Sequence, residues 1–142
     1  MPKKFTLLVR AVILNRDKIL LCQRKGEDYY FFLGGHVEFA ERAESTLARE
    51  LNEEIGVLPN RINYIGTVEN LFEENDKKYH EINLVFQAEI QEKEIKPMED
   101  DLNFYWVEIA DIKEKKILPI ALKERVIKWI ADRQCFWGSQ NL

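Results

Sequence analysis

The chain alternates between short apolar runs and polar segments, a pattern typical of strands joined by turns. Runs rich in Val, Ile and Leu, interrupted by segments such as Asn15-Arg16-Asp17, predict strands. Five strands are expected in this way, over residues 5–14, 18–24, 63–72, 81–90 and 104–109. The polar segment 73–78 separates the third and fourth strands and predicts a turn between them.

Two stretches show the spacing of a helix instead. Within residues 42–55 an apolar side chain recurs every four positions, and Gly56 follows as a natural C-terminal stop. A second helix is predicted over residues 120–133. Its expected core-facing side chains are Ile120, Val126, Ile127 and Ile130. Strands with one inserted and one terminal helix indicate an α/β fold in which helices flank a mixed sheet.

Length, composition and charge narrow the class of protein. The 142 residues fit a single domain, residues 1–142, with 46% hydrophobic and 32% charged residues. The net charge of −4 and the lack of a basic stripe argue against a nucleic-acid polymer as partner. Cys22 is expected to be a buried apolar residue, and together with the distant Cys135 it favours a reduced, cytoplasmic setting. The apolar N-terminal run is too short for a membrane span.

Three acidic residues near the end of the first predicted helix are candidate functional residues. Glu50, Glu53 and Glu54 stand three and four positions apart, so they are expected to share a helix face. Carboxylates grouped in this way can bind a hard cation such as Mg²⁺ or Mn²⁺, which prefers oxygen ligands. They also lie at the negative end of the helix dipole, where each acid costs roughly 0.3–1 kcal/mol. A solvated acidic face would tolerate that cost and is the alternative interpretation.

The surrounding residues favour a functional site. Gly34 and Gly35 precede the helix and permit a tight loop whose carbonyls turn inward. Glu41 opens the helical region, and Arg49 adjoins the acidic face, where it could hold a carboxylate in a fixed orientation.

Taken together, these residues resemble the Nudix box. Gly35 is followed after five residues by Glu41, and after seven more by the segment 49–57, Arg-Glu-Leu-Asn-Glu-Glu-Ile-Gly-Val. Every defining position of the motif is filled, although the box covers only about a sixth of the chain. The resemblance implies an α/β/α sandwich with a mixed sheet, in which the box forms a loop–helix–loop metal site. One departure is Leu33, which stands where members often have a proline.

The resemblance also implies a role for each residue of the box. The metal ligands would be the carbonyl of Gly34 and the carboxylates of Glu50, Glu53 and Glu54. Glu50 and Glu53 are the candidates for the general base, with Arg49 orienting the acids, while Gly35, Glu41 and Gly56 would be structural. The implied reaction is attack of water at phosphorus, giving a nucleoside monophosphate and a second phosphorylated product or pyrophosphate.

A further acid could come from a later loop. Glu99, Asp100 and Asp101 stand just before the last predicted strand, and a solvated turn is the alternative interpretation of that cluster. His36 and His80 could touch substrate, although an exposed loop residue and a structural histidine are the simpler interpretations.

The substrate is less well defined by the sequence. Phe32 and Tyr79 are the candidate substrate contacts, because a base can stack on an aromatic ring, and a place in the core or at its rim is the simpler interpretation of such residues. The expected partner is a small-molecule nucleotide, and neither a nucleic-acid polymer nor a membrane is expected; a homodimer is left open. A nucleoside triphosphate is slightly favoured. The alternatives are an ADP-ribose or nucleotide-sugar hydrolase, a non-catalytic module that binds a nucleotide or protein, and a structural domain with a solvated acidic helix.

Overall fold

The computed structural model describes residues 3–91 and 95–141, in which strands dominate and two helices are inserted. The strands are β1 (Lys3–Val12), β2 (Leu14–Asn15), β3 (Lys18–Arg24), β4 (Leu33–His36), β5 (Arg61–Glu74), β6 (Lys77–Glu89), β7 (Leu102–Glu108) and β8 (Phe136–Gln140). The helices are α1 (Ala43–Ile55) and α2 (Ile120–Asp132), and a 3₁₀ segment covers Ile109–Glu114. Neither helix is long and apolar enough to cross a membrane.

The strands form two sheets. The larger has the order β4-β1-β6-β5-β8, with β1 parallel to β6, β8 parallel to β5, and the other pairs antiparallel. The smaller, β2-β3-β7, is antiparallel. The mixed sheet predicted from the sequence is therefore confirmed.

Each helix covers one face of the strands, and strand alternation divides the core between them. In β3, Leu20 and Cys22 pack in the cluster that contains Leu47 and Leu51 of α1. Ile19 and Leu21 point the other way, into the cluster that contains Leu122, Val126 and Trp129 of α2. Because successive side chains of a strand point to opposite faces, one short strand supplies both cores. Helices on both sides give the expected α/β/α layers.

The terminal helix buries a different set of residues from the predicted one. Ile120 is 52% exposed, so its assignment to the core is wrong. Leu122, Val126 and Trp129 are buried, and their spacing of four and three positions defines the inward stripe. Ile120 lies outside this stripe, at the first helical position. Ile127 and Ile130 pack only partly buried against the cluster.

The hairpin of β5 and β6 is longer than predicted. The turn consists of Asn75 and Asp76, both with positive φ, and residues 73–74 and 77–78 belong to the strands. Two-residue turns with positive φ match the twist of paired strands. Glu73 pairs with Lys78 and Glu74 with Lys77, so opposite charges face each other across the hairpin and favour its extension.

Strand β8 was not expected, because its segment, Phe-Trp-Gly-Ser-Gln, shows little regular apolar alternation. Strand β8 forms by pairing in parallel with β5, and in this pairing Gly66 stands opposite Phe136. A side chain at position 66 would overlap the Phe136 ring, so the glycine makes room for the added strand.

Candidate active site

A cavity of about 780 Å³ lies between the loop–helix unit and the strands. Glu50 and Glu54 of α1 reach it beside Gly34 and Gly35 of β4. The rest of the lining comes from β1, β5 and β6, from single residues of β3, β7 and β8, and from the segments around Tyr29, Glu38, Glu99 and Pro119. The acidic helix face and the glycine pair therefore open onto one concave surface, as a catalytic site requires.

The two glycines lie in strand β4 rather than in the expected loop, and an ion pair ties the loop between β4 and α1 to the helix. The Glu41 carboxylate accepts hydrogen bonds from Arg49 Nε (2.9 Å) and Nη2 (3.0 Å), and a third from the Thr46 hydroxyl (2.7 Å). The Arg49 guanidinium, followed by the Thr46 hydroxyl, holds the pKa of Glu41 down at about 2. Because two parallel bonds fix both planes, the loop has a defined position relative to α1.

The same guanidinium also reaches the acidic face. Arg49 Nη1 donates to Glu50 Oε1 at 3.0 Å and lies 3.4 Å from Glu53 Oε1, while Nη2 donates to the His36 carbonyl at 3.3 Å. Arg49 thus links the structural acid, Glu41, to the acids of the candidate site, and it constrains the Glu50 carboxylate directly.

The two glycines are positions of close approach. Gly34 has a φ of 151°, and a Cβ there would overlap the Val9 carbonyl. A Cβ on Gly35 would overlap the carboxyl group of Glu50. The backbone of β4 can therefore lie against α1 only because both positions lack a side chain.

Glu54 is the most unusual acid of the site. It is only 5% exposed, and its Oε2 atom has no hydrogen-bond partner among residues 3–91 and 95–141. Burial, followed by the nearby charge of Glu50, raises the pKa of Glu54 to about 8. The Gly34 backbone N–H opposes this shift by donating a hydrogen bond. An orphaned, buried carboxylate oxygen is the donor that a hard divalent cation would satisfy, so the residues fit the metal implied by the motif.

Glu50 and Glu53 differ in position. Burial raises the pKa of Glu50, the Arg49 charge opposes this, and a hydrogen bond joins Glu50 to Glu54. The Glu53 side chain is 50% exposed, pairs with Arg49 and is not among the cavity-lining residues. The structure therefore brings together two of the three acids that were expected to converge. Within the described residues, no three His, Cys, Asp or Glu side chains form a ready-made metal cluster.

The later acidic loop contributes one residue to the cavity. Glu99 lines it, and its charge helps to raise the pKa of Glu54. Asp101 forms an exposed ion pair with Arg24 at 3.5 Å, and Asp100 is exposed at the turn before β7. Of the three acids considered from the sequence, Glu99 is the one beside the candidate metal ligands.

Neither of the two expected aromatic contacts, Phe32 and Tyr79, lines the cavity, and in each case a neighbouring aromatic residue lines it instead. Phe32 is only 1% exposed and belongs to the core, while its neighbour Phe31 lines the cavity. Phe31 forms an isolated antiparallel bridge with Cys22 just before β4, and consecutive side chains of such a paired segment point to opposite sides, which explains the exchange. Tyr79 stacks on Phe72 (ring centroids 4.6 Å apart), and it is Phe72 that lines the cavity.

The two histidines differ: His36 belongs to a strand rather than to the expected loop and reaches the cavity, whereas His80 is structural. His36 is exposed in β4 and lies at the cavity edge. His80 shares a hydrogen bond of 2.8 Å with Glu69 and packs edge-on against Phe5, so it is held by structural contacts.

Several polar residues of the cavity were not singled out from the sequence. Arg10 of β1 lines it and donates to the Phe32 carbonyl (3.0 Å) and to Asn83 Oδ1 (3.3 Å). Asn70 and Glu81 also line it. The available signal was a polar residue at an inward position of an apolar strand, which often marks a functional site.

Comparison with known proteins agrees with this geometry. A family model described as "NUDIX domain" matches residues 4–130. An ADP-ribose pyrophosphatase of Methanocaldococcus jannaschii is 30% identical over 95 residues, which are 65% of this chain and 55% of that protein. The chain thus spans little more than half the length of this curated relative.

Solved structures share the fold. A MutT protein from Methanosarcina mazei superposes with a TM-score of 0.71 at 23% identity, covering 94% of this chain and 98% of that one. The NUDIX domain of Shewanella oneidensis NrtR, solved with ADP ribose, gives a TM-score of 0.71 at 21% identity, covering 92% and 88%.

Proposed function

This chain belongs to the NUDIX family, and on that premise we propose that residues 1–142 form a single catalytic domain, a metal-dependent pyrophosphohydrolase. Its substrate is a nucleoside diphosphate linked to another group. The observation that carries the proposal is the buried Glu54 carboxyl, whose unpartnered oxygen lies beside Glu50 in a cavity large enough for a nucleotide. A solvated acidic helix would leave all of its carboxylates in water.

Mg²⁺ or Mn²⁺ fits these donors. Glu50, Glu54 and the carbonyl of Gly34 would hold it, with Glu99 nearby and Glu53 at the outer side of the helix. When bound, such a cation would supply charge neutralisation for the diphosphate and would acidify water. The side chains of the protein would then position the substrate and the attacking water, and would accept the proton that this water releases.

Glu50 is the preferred general base. Its carboxyl lines the cavity, and Arg49 fixes its orientation through the 3.0 Å hydrogen bond. The carboxylate accepts a proton from the attacking water, whose oxygen forms the new bond to phosphorus as the bridging P–O bond breaks. The leaving group, which is pyrophosphate or the nucleoside monophosphate according to which phosphorus is attacked, departs with the bonding electron pair. Glu53 is the alternative base, and its exposed position makes it the weaker candidate.

A nucleoside triphosphate, giving a nucleoside monophosphate and pyrophosphate, is the slightly favoured substrate. ADP-ribose is the second candidate, because a relative is named an ADP-ribose pyrophosphatase and a domain of the same fold was solved with ADP ribose. A non-catalytic nucleotide- or protein-binding module is disfavoured, since Glu50, Glu53 and Glu54 are all retained.

The test is hydrolysis by the purified full chain. Nucleoside triphosphates, ADP-ribose and nucleotide sugars are incubated with Mg²⁺, Mn²⁺ or EDTA, and the products are identified by chromatography. We expect metal-dependent release of a nucleoside monophosphate. Glu50→Gln should lower kcat by about 10²–10⁴-fold, while the matched change Glu44→Gln, at an exposed position of the same helix, should not. Equal turnover in EDTA, or binding with no turnover in any metal, would overturn the proposal.

A further inference from the structure

Two asparagines on the cavity side of the large sheet differ in how their side chains are satisfied. Asn83 of β6 is fully buried; its amide donates to the Val68 carbonyl (3.3 Å) and its oxygen accepts from Arg10 (3.3 Å). Asn70 of β5 is 6% exposed, yet its Oδ1 atom has no hydrogen-bond partner in the described ranges 3–91 and 95–141. Asn83 forms its side-chain hydrogen bonds within the sheet, whereas the Asn70 oxygen forms none with any residue that the structure describes. Because buried polar groups are normally hydrogen-bonded, Asn70 is the exception that requires an explanation.

Asn70 also has a suitable neighbour. It lies directly opposite Glu81 in the antiparallel pair of β5 and β6, so the two side chains share one face. Both residues line the cavity. The cavity floor therefore holds a buried amide oxygen that has no partner among the described residues, beside a carboxylate, which has only acceptor atoms. These acceptor atoms can receive hydrogen bonds from a ligand that carries two neighbouring N–H donors on one edge.

This pair stands well apart from the acids of α1. In the order β4-β1-β6-β5, three strand spacings, roughly 14 Å at about 4.8 Å each, separate the strand of Gly35 from that of Asn70. Asn70 also lies three residues along β5 from Thr67, the residue in register with Gly35. A diphosphate, a ribose and a base laid end to end cover a distance of that order. Phe31 and Phe72 also line the cavity, where a base can contact an aromatic ring; one face of the Phe72 ring is covered by Tyr79 and one face of the Phe31 ring by Arg24.

We propose that Asn70 and Glu81 read the base of the nucleotide and favour one with adjacent N–H donors, as in guanine, over adenine. This inference rests on the proposed function, since it assumes that the phosphates lie at Glu50 and Glu54. The N1–H and the amino group of guanine can both donate to acceptors on the floor. Adenine presents a lone pair at N1, which an acceptor carboxylate repels. The two residues are specificity determinants and take no part in the bond-breaking step.

The experiment compares substrates that differ in one group. Turnover of GTP, ITP and ATP, and of GDP-glucose and ADP-glucose, is measured with Mg²⁺ for the full chain. Binding of GMP, IMP and AMP is measured by calorimetry, which reports on the base without catalysis. We expect the order guanine, hypoxanthine, adenine, with guanine over adenine by about tenfold or more. Hypoxanthine lacks the amino group of guanine, so the difference between the guanine and hypoxanthine compounds measures the contribution of that amino group.

Two variants and a control assign the effect to the residues. Glu81→Gln places a donor beside N1 and should shift the ratio of adenine to guanine kcat/KM upward by about tenfold. Asn70→Leu should reduce the guanine preference by a similar factor while leaving the melting temperature unchanged or raised, because it removes an unpartnered polar group. Glu89→Gln, at an exposed position of the same strand β6 as Glu81, should leave the ratio unchanged.

The outcomes separate this proposal from the proposed function. Absence of turnover for every compound contradicts the hydrolase, and the monophosphate binding series still tests the base preference. Turnover or binding with guanine and adenine compounds within about threefold of each other overturns the proposal. So does an unchanged ratio in Glu81→Gln, or a fall in melting temperature with intact selectivity in Asn70→Leu.

Discussion

Replacing Glu54 with glutamine should remove a pH-dependent loss of stability that the buried carboxyl imposes on the metal-free protein. The side chain is 5% exposed, and burial followed by the Glu50 charge raises its pKa to about 8, against 4.5 for a free glutamate. Below pH 4.5 both the folded and unfolded chains hold the proton. Between pH 4.5 and 8 the unfolded chain releases it first, so rising pH favours unfolding.

The size of the effect follows from the same two values. A tenfold change in proton affinity corresponds to about 1.4 kcal/mol, so the free energy of unfolding falls by at most about 5 kcal/mol across this window. The glutamine variant carries no charge at any pH and lacks this fall. Its buried amide costs roughly 1–3 kcal/mol if it finds no partner. At about pH 5 we expect the free energy of unfolding of the variant to be equal to or below that of the wild type, and at about pH 8.5 we expect it to be higher.

The assay is urea denaturation in EDTA at a series of pH values, followed by tryptophan fluorescence. Glu53→Gln is the matched control, because that side chain is half exposed on the same helix. Adding Mg²⁺ at alkaline pH should restore stability to the wild type and much less to Glu54→Gln. Parallel curves for wild type and Glu54→Gln throughout the pH range would refute the assignment of a buried, cation-requiring carboxyl.

Further outcomes follow from the site geometry. Gly35→Ala should lower kcat by about tenfold or more, because the new Cβ displaces the Glu50 carboxyl; an unchanged kcat would contradict that contact. Arg49→Lys should lower both the melting temperature and kcat, since lysine cannot replace the paired hydrogen bonds to Glu41, and calorimetry with steady-state kinetics checks it. Glu53→Gln tests the alternative base: it should keep the fold and lower kcat less than Glu50→Gln does, because Glu53 is half exposed and lies outside the cavity lining, and a larger loss than in Glu50→Gln would show that Glu53 is the base. The rate should rise from acidic to neutral or alkaline pH, because Glu50 must release its proton and burial raises its pKa; a sharply acidic optimum would contradict this.

The local elements were largely predictable from the sequence. Strand β3 has the predicted bounds, Lys18–Arg24, and α1 begins one residue later than expected, at Ala43. Gly56 ends that helix with a φ of 68°, its N–H donating to the Asn52 carbonyl. These features depend on alternation, four-residue spacing and a left-handed C-terminal residue, which are properties of neighbouring positions.

The burial of each side chain was not predictable in the same way. Spacing places Glu50, Glu53 and Glu54 near one another, but the rotation of α1 against the sheet decides which of them enter the cavity. Glu54 is buried, Glu50 lies at the cavity wall, and Glu53 stays half exposed.

The strand and helix pattern, the family motif and the residue types of the site could therefore be predicted from the amino-acid order, because each is encoded over a few consecutive positions. The pairing of β8 with β5, the burial of Glu54 and the position of Asn70 opposite Glu81 on the cavity floor could be seen only once the chain was folded. These are contacts between elements, and their geometry depends on how whole strands and helices pack against each other.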